Sequence, residues 1–172
     1  MIILSEKTIA RRYKNQTGFS ILELMIVVVI GGILAAIAVP NMRDFLLTQQ
    51  VRTAASDAHL SLLLARSEAI KRNGSVNVTA ISSDWTNGWQ ILSGATVVRQ
   101  QDALADAVVV SCNGACPNTI SFSKTGRATS STELRFYING NTKVKMRCLV
   151  LSLSGKPLIE LDNDTNAANG CS

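Results

Sequence analysis

A single carboxylate, Glu23, stands inside an otherwise uncharged run of 21 residues from Phe19 to Val39, FSILELMIVVVIGGILAAIAV. In a bilayer helix an acid costs about 2.5–3.5 kcal/mol on insertion scales unless it lies near the interface or faces a cation. Glu23 sits only four residues inside the run. Snorkelling to the headgroups is therefore one solution, and a cationic partner is the other. The remaining reactive groups follow the run. Cys112, Cys116, Cys148 and Cys171 all lie beyond it, and an even count there points to disulfides in an oxidising compartment. Four cysteines allow three pairings. Cys112–Cys116 with Cys148–Cys171 is favoured because each bridge closes a short or terminal loop, and the other pairings stay open. Zinc is the rival, but no CxxC pair exists and the one histidine, His59, is distant in sequence. No serine elbow, metalloprotease His pair or P-loop is present. No catalytic residue, metal or cofactor is expected, and the chain does not read as an enzyme.

The elements that carry these groups follow from composition. With 172 residues there is room for one domain and an attachment segment. Aromatics are 5% of the chain, so the core must rely on Val, Leu, Ile and Ala. The net charge is +5, but Lys7, Arg11, Arg12 and Lys14 against Glu6 place +3 of it before Gly18, leaving +2 afterwards. That basic segment reads as a targeting feature. A helix over the 21-residue run rises about 30 Å, enough to cross a bilayer core. Its basic flank should stay cytoplasmic, so the rest of the chain faces outward, into the periplasm of a bacterium. An ordinary signal peptide would have a shorter apolar core, although Ala35-Ala36-Ile37-Ala38 resembles a small-residue cleavage site. Neither a signal peptide nor a plain anchor explains Glu23.

Pro40 should loosen the helix without ending it. Beyond it Leu47, Val51, Ala54, Ala58, Leu62, Ala65 and Ala69 recur at spacings of three and four, one apolar stripe. Arg43, Asp44, Arg52, Asp57, Arg66, Glu68 and Lys71 lie mostly off it. The pattern predicts one helix from about Phe19 to Arg72, stopped by Asn73-Gly74. Strands are expected around Val76–Ile81 and Trp89–Leu92 with a turn at Asn87-Gly88, then over 107–111, 119–123, 133–138, 144–153 and 157–161. Asn139-Gly140-Asn141 should turn one hairpin, and Gly126 and Gly155 mark further turns. The polar tail from Asp162 should be held by Cys171.

Thr17-Gly18-Phe19-Ser20-Ile21-Leu22-Glu23-Leu24-Met25 resembles the class III signal of type IV pilins and pseudopilins. The resemblance implies a prepilin peptidase that cuts after Gly18 and methylates the new amine of Phe19. It makes Glu23 the membrane glutamate, paired in assembly with the charged Phe19 terminus of a neighbour, and Pro40 the helix-loosening proline. Gly31 with Ala35, and Gly32 with Ala36, add small faces that allow close helix packing.

The stretch Leu62-Leu63-Leu64-Ala65-Arg66-Ser67-Glu68-Ala69-Ile70-Lys71-Arg72-Asn73 resembles the helix end of the GspH/FimT family. Trp85, Gly88 and Trp89 are similar to its Trp–Gly–Trp region, and Ile120-Ser121-Phe122-Ser123 with Gly126-Arg127 to its later strand and turn. Residues 95–118 and 157–172 match poorly. The implied fold is α+β, a long N-terminal helix packed on a small antiparallel β-sandwich. The implied divisions are a cleaved leader at 1–18, a transmembrane assembly helix at 19–40, an amphipathic helix at 41–73 and a periplasmic β-domain at 74–172. The implied role is a minor pilin or pseudopilin at or near a filament tip. Its partners would be the inner membrane, the prepilin peptidase, other major and minor (pseudo)pilins and an assembly platform. It would cross the inner membrane once, N-terminus inside, before entering a pilus or pseudopilus.

An alternative is DNA capture for natural transformation. Residues 124–156 hold Lys124, Arg127, Arg135, Lys143, Lys145, Arg147 and Lys156 against Glu133 alone, and Lys143, Lys145, Arg147 and Lys156 are the candidate phosphate contacts. DNA-binding FimT-like pilins resemble one another in a Gly-Arg-x-Arg. Here Gly155-Lys156-Pro157-Leu158 keeps one cation, and Glu160, Asp162 and Asp164 follow. Arg66 and Glu68 read as solvated helix charges, and Trp85 and Trp89 as core packing.

Overall fold

Helical periodicity carries the chain through Pro40. In the computed structural model, which describes residues 18–163 and 171, α1 runs from Ile21 to Lys71. Residues 1–17 of the expected leader lie outside the described residues, as do residues 164–170 and 172 of the tail. Backbone contacts divide the chain into two units, Met1–Val39 and Pro40–Ser172.

In the first unit every described side chain from Ile21 to Ile37 is exposed. In the second, α1 buries Val51, Ala54, Ala55, Ala58, Leu62, Ala65 and Ala69. The stripe is wider than its spacing indicates: Ala55 and the hydroxyl-bearing Ser61 are buried too, while Leu47 is half-buried. Five of these positions are alanine. The helix stops where expected, by a Schellman arrangement. Asn73 takes the left-handed conformation (φ 49°), its amide donates to the Ile70 carbonyl (3.2 Å), and the Gly74 amide donates to that of Ala69 (3.1 Å).

Among the described residues eight strands follow: β1 Val76–Ala80, β2 Trp89–Ser93, β3 Thr96–Gln101, β4 Val108–Cys112, β5 Thr119–Phe122, β6 Thr132–Ile138, β7 Arg147–Leu151 and β8 Pro157–Leu161. They form two four-stranded antiparallel sheets, ordered β3-β2-β1-β5 and β4-β6-β7-β8. Trp89, Phe122, Phe136, Ile91, Ile120, Leu134, Leu149 and Leu151 meet the helix stripe in one core.

Three local expectations change. Asn87-Gly88 is not a two-residue hairpin turn. Two 3-10 turns, Ile81–Ser83 and Trp85–Asn87, join β1 to β2, the second capped by Asp84, whose side chain accepts from the Thr86 amide (2.8 Å). Gly88 ends that connection at φ 89°, where a Cβ would overlap the Gln101 carbonyl oxygen. The strand expected over 144–153 is shorter, because the Asn141 side chain accepts the Lys143 and Val144 amides (2.8 and 3.1 Å) and withdraws them from pairing. Finally, β3 was not expected. It is an edge strand with mostly exposed side chains, so it lacks the alternation that marks a half-buried strand.

Candidate assembly helix and the cationic faces of the β-domain

The N-terminal site is built from the start of α1. The Leu24 amide donates to the Ser20 carbonyl (3.1 Å), which makes Ser20 the N-cap. Glu23 then falls three residues later, in the first helical turn. Ser-x-x-Glu is the spacing of a capping box, and a carboxylate there faces the positive end of the helix dipole. This second reason for an acid at 23 was legible in Ser20-Ile21-Leu22-Glu23 and supplements the counter-ion argument. Phe19 is 82% exposed, and no atom outside the local chain approaches the Cβ positions of Gly18, Gly31 or Gly32 within 4 Å. From Ile21 on, the helix presents Leu22, Leu24, Met25, Ile26, Val27, Val28, Val29, Ile30, Ile33, Leu34 and Ile37 to its surroundings. By length and composition the helix is long and apolar enough to cross a membrane. Burying each such large side chain is worth about 1.5–3 kcal/mol, so lipid or other helices are the favoured environment. Pro40 lies within α1 and opens the second unit.

The cations of the β-domain do not form one patch. Lys143 is paired with Asp44 of α1 (3.2 Å), and Asn141 donates to the same carboxylate (3.3 Å). These contacts, Lys143 foremost, hold the Asp44 carboxyl below its usual range. Arg147 is half-buried; desolvation lowers its pKa, and the guanidinium of Arg52 adds to this. Lys145 is exposed. Lys156 lies beyond the other end of β7, whose five residues span about 13 Å. Arg135 is not a surface cation, being 5% exposed and bonded to Glu133 (2.7 Å). Asp162 is buried, and Asp164 lies outside the described residues.

A different grouping surrounds Lys156. A Cβ at Gly126 would lie 2.7 Å from the Ile70 Cδ1 and 3.2 Å from the Arg66 Nε, so the β5–β6 turn seats on the last turns of α1. A Cβ at Gly155 would overlap the Gly126 carbonyl oxygen, so the β7–β8 turn seats on the β5–β6 turn. Arg66, read from sequence as a solvated helix charge, joins Lys124, Arg127 and Lys156 here. Only the three-dimensional contact of the two glycine turns discloses this.

Both favoured disulfides are formed, Cys112–Cys116 and Cys148–Cys171. Trp85 and Trp89 are core residues with ring centroids 6.0 Å apart. The Trp85 indole donates to the Pro117 carbonyl (2.9 Å). Among the described residues no group of three or more His, Cys, Asp or Glu side chains is placed to hold a metal.

The family profile described as type II transport protein GspH matches residues 54–155. The chain belongs to the GspH family. The prokaryotic N-terminal methylation motif matches residues 13–39, which include the Gly18–Phe19 junction and Glu23. A fimbrial protein of Pseudomonas aeruginosa is 42% identical over 83 residues, 48% of this chain and 44% of that protein. The chain thus spans about half the length of the curated relatives it matches. Two crystal structures of the Pseudomonas aeruginosa type IV minor pilin FimU share the fold, with TM-scores of 0.58 and 0.56 at 24% identity. They cover 72% and 70% of this chain and 96% and 99% of those chains. This GspH-family chain therefore has the type IV pilin-like architecture: one long helix with its second half on antiparallel sheets. Proteins of this kind are structural subunits, not enzymes.

Proposed function

We propose that this GspH-family chain is a minor pilin or pseudopilin, inserted in the bacterial inner membrane and then assembled into a type IV pilus or type II secretion pseudopilus, at or near its tip. A prepilin peptidase removes residues 1–18 and methylates Phe19. Residues 19–40 cross the membrane once from a cytoplasmic N-terminus, and the domain at 74–172, carried by the helix at 41–73, faces the periplasm. The observation that supports this most is the exposed apolar half of α1, which carries one carboxylate four residues beyond Phe19. Cleavage creates an ammonium at Phe19, and that ammonium is the counter-ion which makes Glu23 tolerable between packed helices. Gly31 and Gly32 let neighbouring helices approach, and Pro40 lacks the amide that would complete the helical ladder. The partners are other major and minor (pseudo)pilins and the assembly platform.

The test is Glu23→Val. The variant should insert and be trimmed to a Phe19 terminus by mass spectrometry, yet be depleted at least tenfold from sheared filaments relative to the cell membrane. Recovery at wild-type levels would refute the charge pair, and a terminus other than Phe19 would refute the processing step.

A second reading, DNA capture, is favoured by the cations of residues 124–156. The single cation of Gly155-Lys156-Pro157-Leu158 keeps half of the charge pattern found in DNA-binding relatives.

A further inference from the structure

We infer that Asn139, in the β6–β7 turn, is a site of spontaneous covalent modification. Its side-chain amide is converted to a carboxylate through a cyclic imide formed with the Gly140 backbone nitrogen.

The chemistry needs an asparagine followed by an unhindered amide, and glycine, with no Cβ, supplies the least hindered one. The Gly140 nitrogen attacks the Asn139 Cγ. A bond forms between them, the bond from Cγ to Nδ2 breaks, and Nδ2 leaves as ammonia with the proton given up by the attacking nitrogen. Water then opens the imide at either carbonyl. Attack at Cγ gives aspartate. Attack at the main-chain carbonyl gives isoaspartate, whose backbone runs through Cβ and Cγ. Ammonia leaves and water enters, so nothing is oxidised or reduced.

Five Asn-Gly pairs occur in the chain, beginning at Asn73, Asn87, Asn113, Asn139 and Asn169. The last lies outside the described residues. The fold restrains three of the other four. The Gly74 amide donates to the Ala69 carbonyl (3.1 Å) within the stop of α1. The Gly88 amide donates to the Trp85 carbonyl (3.2 Å), and the buried Gly88 lies against the Gln101 carbonyl. Gly114 is bridged to Cys112 inside the ring closed by the Cys112–Cys116 disulfide. An amide held in this way must open locally before it can react. Asn139 and Gly140 are both exposed, and among the described residues the Gly140 amide donates to no backbone carbonyl. No atom outside the local chain comes within 4 Å of the Gly140 Cβ position.

The product would act on the tie between this loop and α1. The turn is closed by the Asn141 amide, which donates to the Ile138 carbonyl (3.3 Å). The Asn141 side chain donates to Asp44 (3.3 Å), and Lys143 pairs with the same carboxylate (3.2 Å). Isoaspartate lengthens the backbone inside that turn and displaces Asn141 relative to Ile138. Aspartate adds a negative charge four residues before Lys143 and competes with Asp44 for it. Both products loosen the loop, isoaspartate the more.

The test ages the full chain, folded in detergent, in warm, mildly alkaline buffer and follows its peptides by mass spectrometry. The peptide holding Asn139 should gain one mass unit, placed at residue 139 by fragmentation, and split into two isomers. Its conversion should be at least tenfold faster than that of the peptides holding Asn73, Asn87 and Asn113. In denaturant with the disulfides reduced, those three should accelerate to the rate of Asn139. An Asn139 that stays unmodified, or reacts no faster than Asn73 and Asn87 in the folded chain, would overturn the assignment. The aged chain should also melt below the fresh one. Asn139→Asp, which adds the charge without lengthening the backbone, should lower the melt by less. Identical melts for the fresh and fully converted chains would overturn the loosening of the loop.

Discussion

The two halves of α1 obey the same backbone geometry and opposite surface rules. Between Ile21 and Ile37 every described side chain is exposed and nearly all are apolar. Between Val51 and Ala69 most apolar residues lie on a buried, alanine-rich stripe, with charges beside it and Leu60 and Leu63 exposed. The second half therefore draws its stability from its own domain. The first half exposes large apolar side chains, so its free energy depends on the lipid or protein that surrounds them. Folding and assembly are thus written on one helix but in separate residues.

That separation predicts a double dissociation, and it carries the largest effect. Leu62 is 2% exposed and Leu34 is 62% exposed. Leu62→Ala should destabilise the β-domain by about 2–5 kcal/mol, roughly 6–15 °C in a thermal melt of a domain this size. Leu34→Ala should leave the melt unchanged within about 0.5 kcal/mol yet lower recovery in filaments. Equal effects on the melt would mean that the first half is part of the folded core.

An intermediate effect is expected at Gly88, which belongs wholly to the second unit. Its φ of 89° and the closeness of the Gln101 carbonyl exclude a side chain. Gly88→Ala should cost about 1–3 kcal/mol by denaturant titration without altering membrane insertion. A melt identical to wild type would show that the β1–β2 connection relaxes freely.

The sequence disclosed what depends on periodicity. The extent of α1, its Asn73-Gly74 stop, the buried stripe, β8 and most of β6 all follow from spacing and turn residues. What it concealed depends on contacts between distant residues. β3 shows no alternation because its faces are open. Arg135 resembles the neighbouring surface cations until the register of β6 places it under cover beside Glu133. Lys156 and Lys145 are eleven residues apart, but a strand lies between them. Arg66 meets Gly126 only because the β5–β6 turn sits on the helix. Linear charge counting could find the surplus of cations but not its grouping.

The smallest effect should appear where α1 is tied to the β6–β7 loop. Asp44 accepts from Asn141 and pairs with Lys143, and these contacts lower its pKa below the usual 3.8. A carboxyl with a depressed folded-state pKa contributes stability that is fully present above its unfolded value. That stability is lost as pH falls through the folded one. Asp44→Asn should therefore lower the melting temperature slightly at neutral pH, and the difference from wild type should begin to shrink as pH falls through 3.8 and vanish only below the depressed folded-state value. High salt should shrink it as well, because the pair is exposed to solvent. A difference that persisted unchanged into acid would show that Asp44 acts through packing or hydrogen bonding alone. The start of the second half of α1 would then be held to its domain by shape and not by charge.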